Sequence, residues 1–317
     1  MGEHVRVVDV IRETHDAVSL VLELPPGWSY RPGQFLTVRA GDHARAYSFS
    51  SSPFTGQAPQ ITVKRVAGGA ASNWICDSIA AGATLECLPP GGTFVPESLD
   101  RDLLLLAGGS GITPVMSILK SALCQGNGRI VLVYANRTRD AVIFADELSH
   151  LEADERLTVL HWLDSEQGPP TMEGLAELIE PYRRYESFVC GPEPFMLLAQ
   201  RLLGDTVHME RFESLAHNPF LSSQPGEERL LQVTIDGQTL RLPWPAGKRL
   251  LDVLIDRGLN PPFSCRQGNC GTCATRMVHG DVELVNNEIL EEEDFAEGYI
   301  LACQALPLTD EVHVDYS

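Results

Sequence analysis

The sequence predicts a multidomain chain: an antiparallel β-barrel, then an α/β doubly wound domain, then a β-grasp domain with a cysteine-rich loop. Three observations carry this. Up to residue 98, short segments of strand period alternate with Pro- and Gly-containing turns. From 99 to 222, unbroken apolar runs alternate with helical stretches, as parallel strands buried on both faces do. From 223 to 317 the chain holds Cys265-Arg266-Gln267-Gly268-Asn269-Cys270-Gly271-Thr272-Cys273, with Cys303 further on. A length of 317 residues suits two or three domains, each with its own core.

Taken in order, Val5, Val7 and Val10 and then Val18, Leu20, Leu22 and Leu24 alternate with polar residues. Pro25-Pro26-Gly27 ends this run. Strands resume at Gly33–Val38, Ala44–Ser50 and Gln60–Val66, and several such strands make a small barrel. Gly68-Gly69-Ala70-Ala71-Ser72 reads as a turn opening a short helix, with Ser72 as N-cap and a helix N-terminus suited to phosphate.

Leu103-Leu104-Leu105-Leu106-Ala107 is the first buried parallel strand. Gly108-Gly109-Ser110-Gly111-Ile112-Thr113-Pro114 follows, with Thr113 as a cap and Pro114 preorganised for the first turn of a helix. Ile130–Tyr134, Leu157–Leu160 and Ser187–Cys190 are further strands, and Phe195–Leu203 a further helix. A pyrophosphate would lie at the Gly-rich turn of such a doubly wound sheet. No GxGxxG fingerprint is present, and Asn136-Arg137 stands where its acidic residue would fall, so these residues leave NAD and NADP both open.

Residues 213–228, rich in Pro, Ser and Gly, read as a linker. Leu230–Ile235 and Thr239–Leu242 flank Asp236-Gly237, a hairpin dipeptide. Lys248–Gly258 reads as a helix and Glu288–Phe295 as a short acidic one. In the loop between them, Cys265 and Cys270 are separated by four residues, Cys270 and Cys273 by two, and Cys303 follows after 29. That is the plant-type spacing for a 2Fe-2S cluster. Thiolates are soft anionic ligands for iron, and Gly268 and Gly271 let the backbone approach. Structural zinc favours two close Cys-x-x-Cys knuckles, and here there is one.

Hydrophobic content is 44% and formal charge −19, which argues against nucleic acid as a partner. The acidity lies in 99–228 and 229–317, with 20 acidic against 10 basic residues and 14 against 7. Of the eight cysteines, Cys76, Cys87 and Cys124 stand singly and are expected to be buried thiols. The histidines show no metal-like spacing. No basic, apolar leader and no apolar run of about 20 residues is present, so a reducing cytoplasm is expected.

Three motifs then stand together. Arg45-Ala46-Tyr47-Ser48 resembles the flavin-binding Arg-x-Tyr-Ser of the ferredoxin-NADP reductase superfamily. The 108–114 turn and Cys190-Gly191-Pro192 resemble its nicotinamide-binding turns, and Glu210-Arg211-Phe212 its Glu-x-aromatic segment beside the flavin. Segments such as Ala71–Trp74, Val285–Glu288 and Tyr299–Gln304 are most similar to reductases of the 3-ketosteroid 9α-hydroxylase type; the phenylacetyl-CoA epoxidase type is the alternative.

The resemblance implies an FAD-binding barrel (1–98), an NAD(P)-binding domain (99–222) and a β-grasp 2Fe-2S ferredoxin domain (223–317). It implies FAD, NADH with NADPH as the other donor, and a Rieske-type terminal oxygenase as acceptor. In catalysis it places Ser48 near the hydride-accepting flavin nitrogen, Cys190 against the nicotinamide, Glu210 beside the flavin and Phe212 over it. Arg45, Ala46, Tyr47, Thr62, Val63, Lys64, Gly69, Ala70, Ala71 and Ser72 would hold the flavin. Gly108, Gly109, Gly111, Thr113, Pro114, Asn136, Arg137, Gly191 and Pro192 would hold the nicotinamide dinucleotide. Cys265, Cys270, Cys273 and Cys303 would be the metal ligands. A flavin and cluster redox sensor is the non-enzyme reading, and it needs no hydride-transfer residues.

Overall fold

The computed structural model describes residues 2–204, 206–212, 215, 219–220 and 228–317. The expected linker at 213–228 lies almost wholly outside them. Backbone contacts divide the chain into two compact units, Gly2–Phe212 and Glu213–Ser317.

The first unit begins with β1 (Glu3–Arg12), β2 (Ala17–Glu23), β3 (Phe35–Ala40), β4 (His43–Ser48), β5 (Gln60–Lys64), α1 (Ala70–Ser78) and β6 (Thr84–Cys87). The strands form one antiparallel sheet in the order β4-β3-β6-β1-β2-β5. Its two ends meet where Phe49 bridges Ile61 and the Ser50 amide donates to Gln60 O at 2.8 Å, so the sheet nearly closes on itself. Inside lie Val5, Leu20, Leu36, Ile61 and Leu85, with Phe49 stacked on Tyr30 at 3.8 Å. Strand β6, which the alternating pattern does not mark, fills the gap between β3 and β1.

The same unit continues through β7 (Leu103–Gly108), α2 (Ile112–Gln125), β8 (Ile130–Asn136), α3 (Ala145–Leu151), β9 (Leu157–Leu163), α4 (Asp164–Gln167), α5 (Met172–Ile179), β10 (Glu186–Cys190), α6 (Glu193–Leu203) and β11 (His208–Glu210). The five strands are parallel, in the order β11-β10-β7-β8-β9. Successive side chains of a strand point to opposite faces. The leucine run therefore feeds two cores: Leu103 and Leu105 pack on the α2 side, and Leu104 and Leu106 on the side of α5 and α6. The chain winds outward from β7 through β8 and β9, then returns to β10 on the other side. The gap between β7 and β10 is thus the topological switch point, where ligands of open parallel sheets bind.

The second unit has β12 (Glu228–Ile235), β13 (Gln238–Pro245), α7 (Leu250–Asp256), β14 (Ala274–His279), β15 (Val282–Leu284), α8 (Glu292–Ala296), β16 (Tyr299–Leu301), β17 (Ala305–Pro307) and β18 (Glu311–Asp315). Its main sheet runs β13-β12-β18-β14-β16 with one parallel pair, β12 with β18. Asp236 and Gly237 both take positive φ, 51° and 73°, as the expected two-residue hairpin turn requires. The core holds Trp244, Leu231, Val233, Leu250, Leu254 and Val314.

Four local expectations are corrected. The N-cap of α1 is Gly69; Ser72 lies inside the first turn, where its hydroxyl accepts the Val66 amide at 3.2 Å. A Cβ at residue 69 would stand 2.7 Å from that hydroxyl, so only glycine lets the serine turn back. Thr113 does not cap α2, whose N-cap is Gly111; its hydroxyl donates to Ser110 O at 3.1 Å. The acidic helix starts at Glu292, not Glu288, because the Asn287 side chain accepts the Leu290 amide at 2.9 Å and holds a turn first. Cys124 is exposed and Cys76 half-buried, since Cys124 lies where α2 emerges into solvent; Cys87 alone of the three is buried.

Candidate functional site

On the barrel, β4 pairs with β3 so that Arg45 stands opposite Val38, Tyr47 opposite Leu36 and Ser48 opposite Phe35. Ser48 is buried, while Arg45, Ala46 and Tyr47 are half-buried. Burial pushes the Tyr47 phenol well above its ordinary range, against the pull of the Arg45 guanidinium. Arg45 donates to Ala44 O at 2.7 Å.

The β5 residues are differently disposed. Thr62 shares its hydroxyl with Ser19 and Ser50, both at 2.8 Å, and Val63 lies in the barrel core. Lys64 Nζ lies 3.7 Å from Asp16. These side chains are thus engaged within the barrel. Ala70 is exposed at the start of α1, with Ala71 and Ser72 buried behind it.

At the switch point the turns after β7 and β10 touch backbone to backbone. A Cβ on Gly111 would stand 2.1 Å from Cys190 O, and one on Gly191 2.9 Å from Gly108 N. One on Gly108 would meet Pro192 Cδ at 2.6 Å. These three glycines are therefore required by packing between strands. Gly109 differs: its φ is +52° and the space beside it is open. Its carbonyl accepts the Tyr134 hydroxyl at 3.1 Å, and that hydroxyl accepts the Ile143 amide at 3.3 Å. Tyr134, buried on β8, thereby fixes the turn, a role nothing in the local sequence marked.

Cys190 pairs with Ala107 on one side and Glu210 on the other. Burial, and then the Glu210 carboxylate, push the Cys190 thiol far above its ordinary range, so it stands as a neutral thiol. Glu210 is itself buried, whereas Phe212 is 49% exposed and so is not a core residue. Asn136 is buried at the end of β8 and Arg137 exposed beyond it.

A serine ladder joins the barrel to α2. Ser117 donates to Ser51 O at 2.6 Å, Ser121 to Ser52 Oγ at 2.8 Å, and Tyr30 and Ser51 share a hydrogen bond of 2.7 Å. The Ser50-Ser51-Ser52 run directly after the β4 motif was the available signal for it.

In the second unit, Arg266, Gly268 and Gly271 all take positive φ within the cysteine loop. The loop is braced by the next segment: Asn286 Nδ2 donates to Gln267 O at 2.7 Å and the Glu288 amide to Gly268 O at 2.9 Å. The thiols form two hydrogen-bonded pairs, Cys265 with Cys270 and Cys273 with Cys303. Within each pair the shared hydrogen bond pushes the two thiols apart, lowering Cys270 and Cys303 and raising Cys265 and Cys273. Amides of Gln267 and Asn269 are directed at Cys265, that of Thr272 at Cys270 and that of Gly268 at Cys303. Cys270 is exposed and Cys265 half-buried, whereas Cys273 and Cys303 are buried.

Among the described residues, no three His, Cys, Asp or Glu side chains converge as a single-ion site. Two thiol pairs with amides aimed at the sulfurs instead suit a dinuclear cluster, in which each iron takes two thiolates. No described helix is long and apolar enough to cross a membrane.

Three family models match in succession: an oxidoreductase FAD-binding domain over residues 4–95, an oxidoreductase NAD-binding domain over 105–201, and a 2Fe-2S iron-sulfur cluster binding domain over 233–308. The 3-ketosteroid-9-alpha-monooxygenase ferredoxin reductase component of Rhodococcus rhodochrous is 47% identical, over 97% of this chain and 95% of its own. One component of the 1,2-phenylacetyl-CoA epoxidase of Escherichia coli is 31% identical, over 98% of this chain and 96% of its own. Among solved structures, a phthalate dioxygenase reductase shares the fold with a TM-score of 0.63 at 22% identity, over 99% of this chain and 98% of that one.

Proposed function

Because the chain belongs to the family of FAD- and NAD-binding 2Fe-2S oxidoreductases that includes the 3-ketosteroid-9-alpha-monooxygenase ferredoxin reductase components, we propose that it is an NADH-dependent reductase feeding such an oxygenase. The observation that carries the reading is the joining, in one chain, of the β4 motif, the glycine turns at the switch point and the paired-thiol loop. When bound, the nicotinamide supplies an electron pair as hydride, the flavin accepts it and releases electrons singly, and the cluster takes one at a time.

This chain's residues do the positioning. Arg45 pairs with the flavin diphosphate, Tyr47 packs on the ring system, and Ser48 hydrogen-bonds near the hydride-accepting nitrogen. Thr62, Val63 and Lys64 act through the β5 backbone, and Gly69 to Ser72 present the α1 N-terminus to phosphate. The 108–114 turn and Gly191-Pro192 hold the dinucleotide, with Asn136 and Arg137 at its adenosine end. Cys190, kept neutral by burial, is an apolar floor for the nicotinamide. Phe212, being exposed, is able to cover the flavin and to yield to the nicotinamide, with the buried Glu210 two residues before it.

The modules run 1–98, 99–222 and 223–317, the less buried Cys265–Cys270 side faces the acceptor, and the acceptor is a Rieske-type oxygenase acting on a 3-ketosteroid. NADH is preferred over NADPH, and the compartment is the cytoplasm. Reconstitution with the oxygenase component of a 3-ketosteroid 9α-monooxygenase tests this. NADH-driven hydroxylation that requires this protein is the expected result. Flavin reduction by NADH without turnover of that oxygenase, alongside turnover of an epoxidase or another oxygenase, would move the assignment within the family.

A further inference from the structure

Two buried guanidinium groups stand at the cysteine loop, one of them borne by a loop residue. Arg266 is 1% exposed although it sits in a loop, and it holds φ at +58°, a conformation that costs a side-chain-bearing residue energy. Its Nη1 donates to Asp252 at 3.1 Å and its guanidinium lies 4.6 Å over the Phe263 ring. Among the described residues its Nε and Nη2 have no hydrogen-bond partner. Arg249, 8% exposed, donates to Cys303 O at 3.0 Å and to Gln304 Oε1. Gln304, fully buried, links the two, donating to Arg266 O at 2.9 Å and to Cys303 Sγ at 3.3 Å.

The charges do not cancel. Asp252 is the carboxylate buried with these two cations, and Lys248 pairs with Asp256 at the half-buried end of α7. Burying a cation with two idle nitrogens, carrying three N–H bonds, is unfavourable, and an arginine does not escape by losing its proton. A packed apolar residue often serves a fold equally well or better. Asp252, Cys303, Asp256 and Cys273 all act on Arg266 through space, and among the described residues here three cations, Lys248, Arg249 and Arg266, stand against two carboxylates, so one positive charge is left beside the thiols.

We propose that Arg249 and Arg266 form a cationic floor that offsets the charge of the iron–sulfur group and raises its reduction potential. The inference rests on the 2Fe-2S reading. Four thiolates, two sulfides and two ferric ions sum to a dianion, and one electron from the flavin, reducing one ferric ion to ferrous, makes a trianion. A fixed cation stabilises the trianion more than the dianion, so it favours the reduced state. Both arginines act through the cluster's surroundings and are positioning residues.

The test is a potentiometric titration of the full-length holoprotein, followed by electron paramagnetic resonance for the cluster and visible absorption for the flavin. Arg266→Met and Arg249→Met should each lower the cluster midpoint, Arg266→Lys should restore part of the fall, and Asp252→Asn should raise it. The flavin midpoint should stay put. Arg266→Met and Asp252→Asn break the same ion pair, so a purely structural role would move the midpoint the same way in both. Shifts of one sign, or none, overturn the proposal. If Arg266→Met fails to hold its cluster, the sign of the Asp252→Asn shift decides. A native protein without acid-labile sulfide would instead overturn the 2Fe-2S reading itself.

Discussion

At the scale of single residues, Tyr134 joins the turn at Gly109 to the backbone at Ile143 through one hydroxyl. Tyr134→Phe removes both hydrogen bonds and leaves the Ile143 amide and the Gly109 carbonyl without this partner, a loss of about 1–3 kcal/mol. If the turn holds the dinucleotide, KM for NADH should rise several-fold with kcat unchanged in steady-state assays. Equal losses in both would mean that Tyr134 serves the chemical step instead. Cys87 gives a pH prediction. Burial raises its thiol from 9.0 to about 12. The unfolded thiol loses its proton first, so this contribution to stability is complete below pH 9.0 and is lost as pH rises towards about 12. Denaturant titrations should show stability falling across that window, and Cys87→Ala should flatten the fall. Cys270→Ser removes an exposed thiolate; cluster iron and sulfide should be lost while NADH still reduces the flavin with ferricyanide as acceptor.

At the scale of elements, the β7 and β10 turns depend on glycine for contact and not only for ligand binding. Gly111→Ala places a methyl group against the Cys190 carbonyl and should cost about 2 kcal/mol, as overpacking does, with a matching fall in thermal midpoint. The acidic helix α8 commits only part of its charge to its own cap. Glu291 and Asp294 form a capping box, the Glu291 amide donating to Asp294 at 2.8 Å, so their charges are partly committed to the helix N-terminus. Glu292, Glu293 and Glu297 are the side chains left to steer a basic acceptor. Replacing these three by Gln should slow association with the oxygenase and flatten its salt dependence, since exposed charges are screened beyond about 8 Å at physiological ionic strength. An unchanged rate and salt slope would leave them as a solvated face.

At the scale of the whole molecule, what was legible in the chain was local pattern. The Cys265–Cys273 spacing, the Leu103–Ala107 run and the Asp236-Gly237 turn each determine their surroundings over a few residues, and the structure bears them out. What escaped depends on contacts distant in sequence. An arginine in a loop ordinarily reads as surface, and Arg266 is buried because Phe263 and Asp252 close around it. Ser72 reads as a cap until Gly69 is seen to let it fold back on Val66. The Thr62 hydroxyl reads as free on a half-buried strand until Ser19 and Ser50 are found on it.

The same scale holds the central claim, that electrons enter at the flavin and leave through the cluster of one chain. Anaerobic mixing of the holoprotein with NADH, followed by rapid-scan absorption and freeze-quench paramagnetic resonance, tests it most directly. Flow through the flavin predicts that flavin absorbance bleaches first and that the reduced-cluster signal follows, with Cys270→Ser keeping the first phase and losing the second. A cluster signal that precedes flavin bleaching, or a flavin that NADH leaves oxidised, would contradict it.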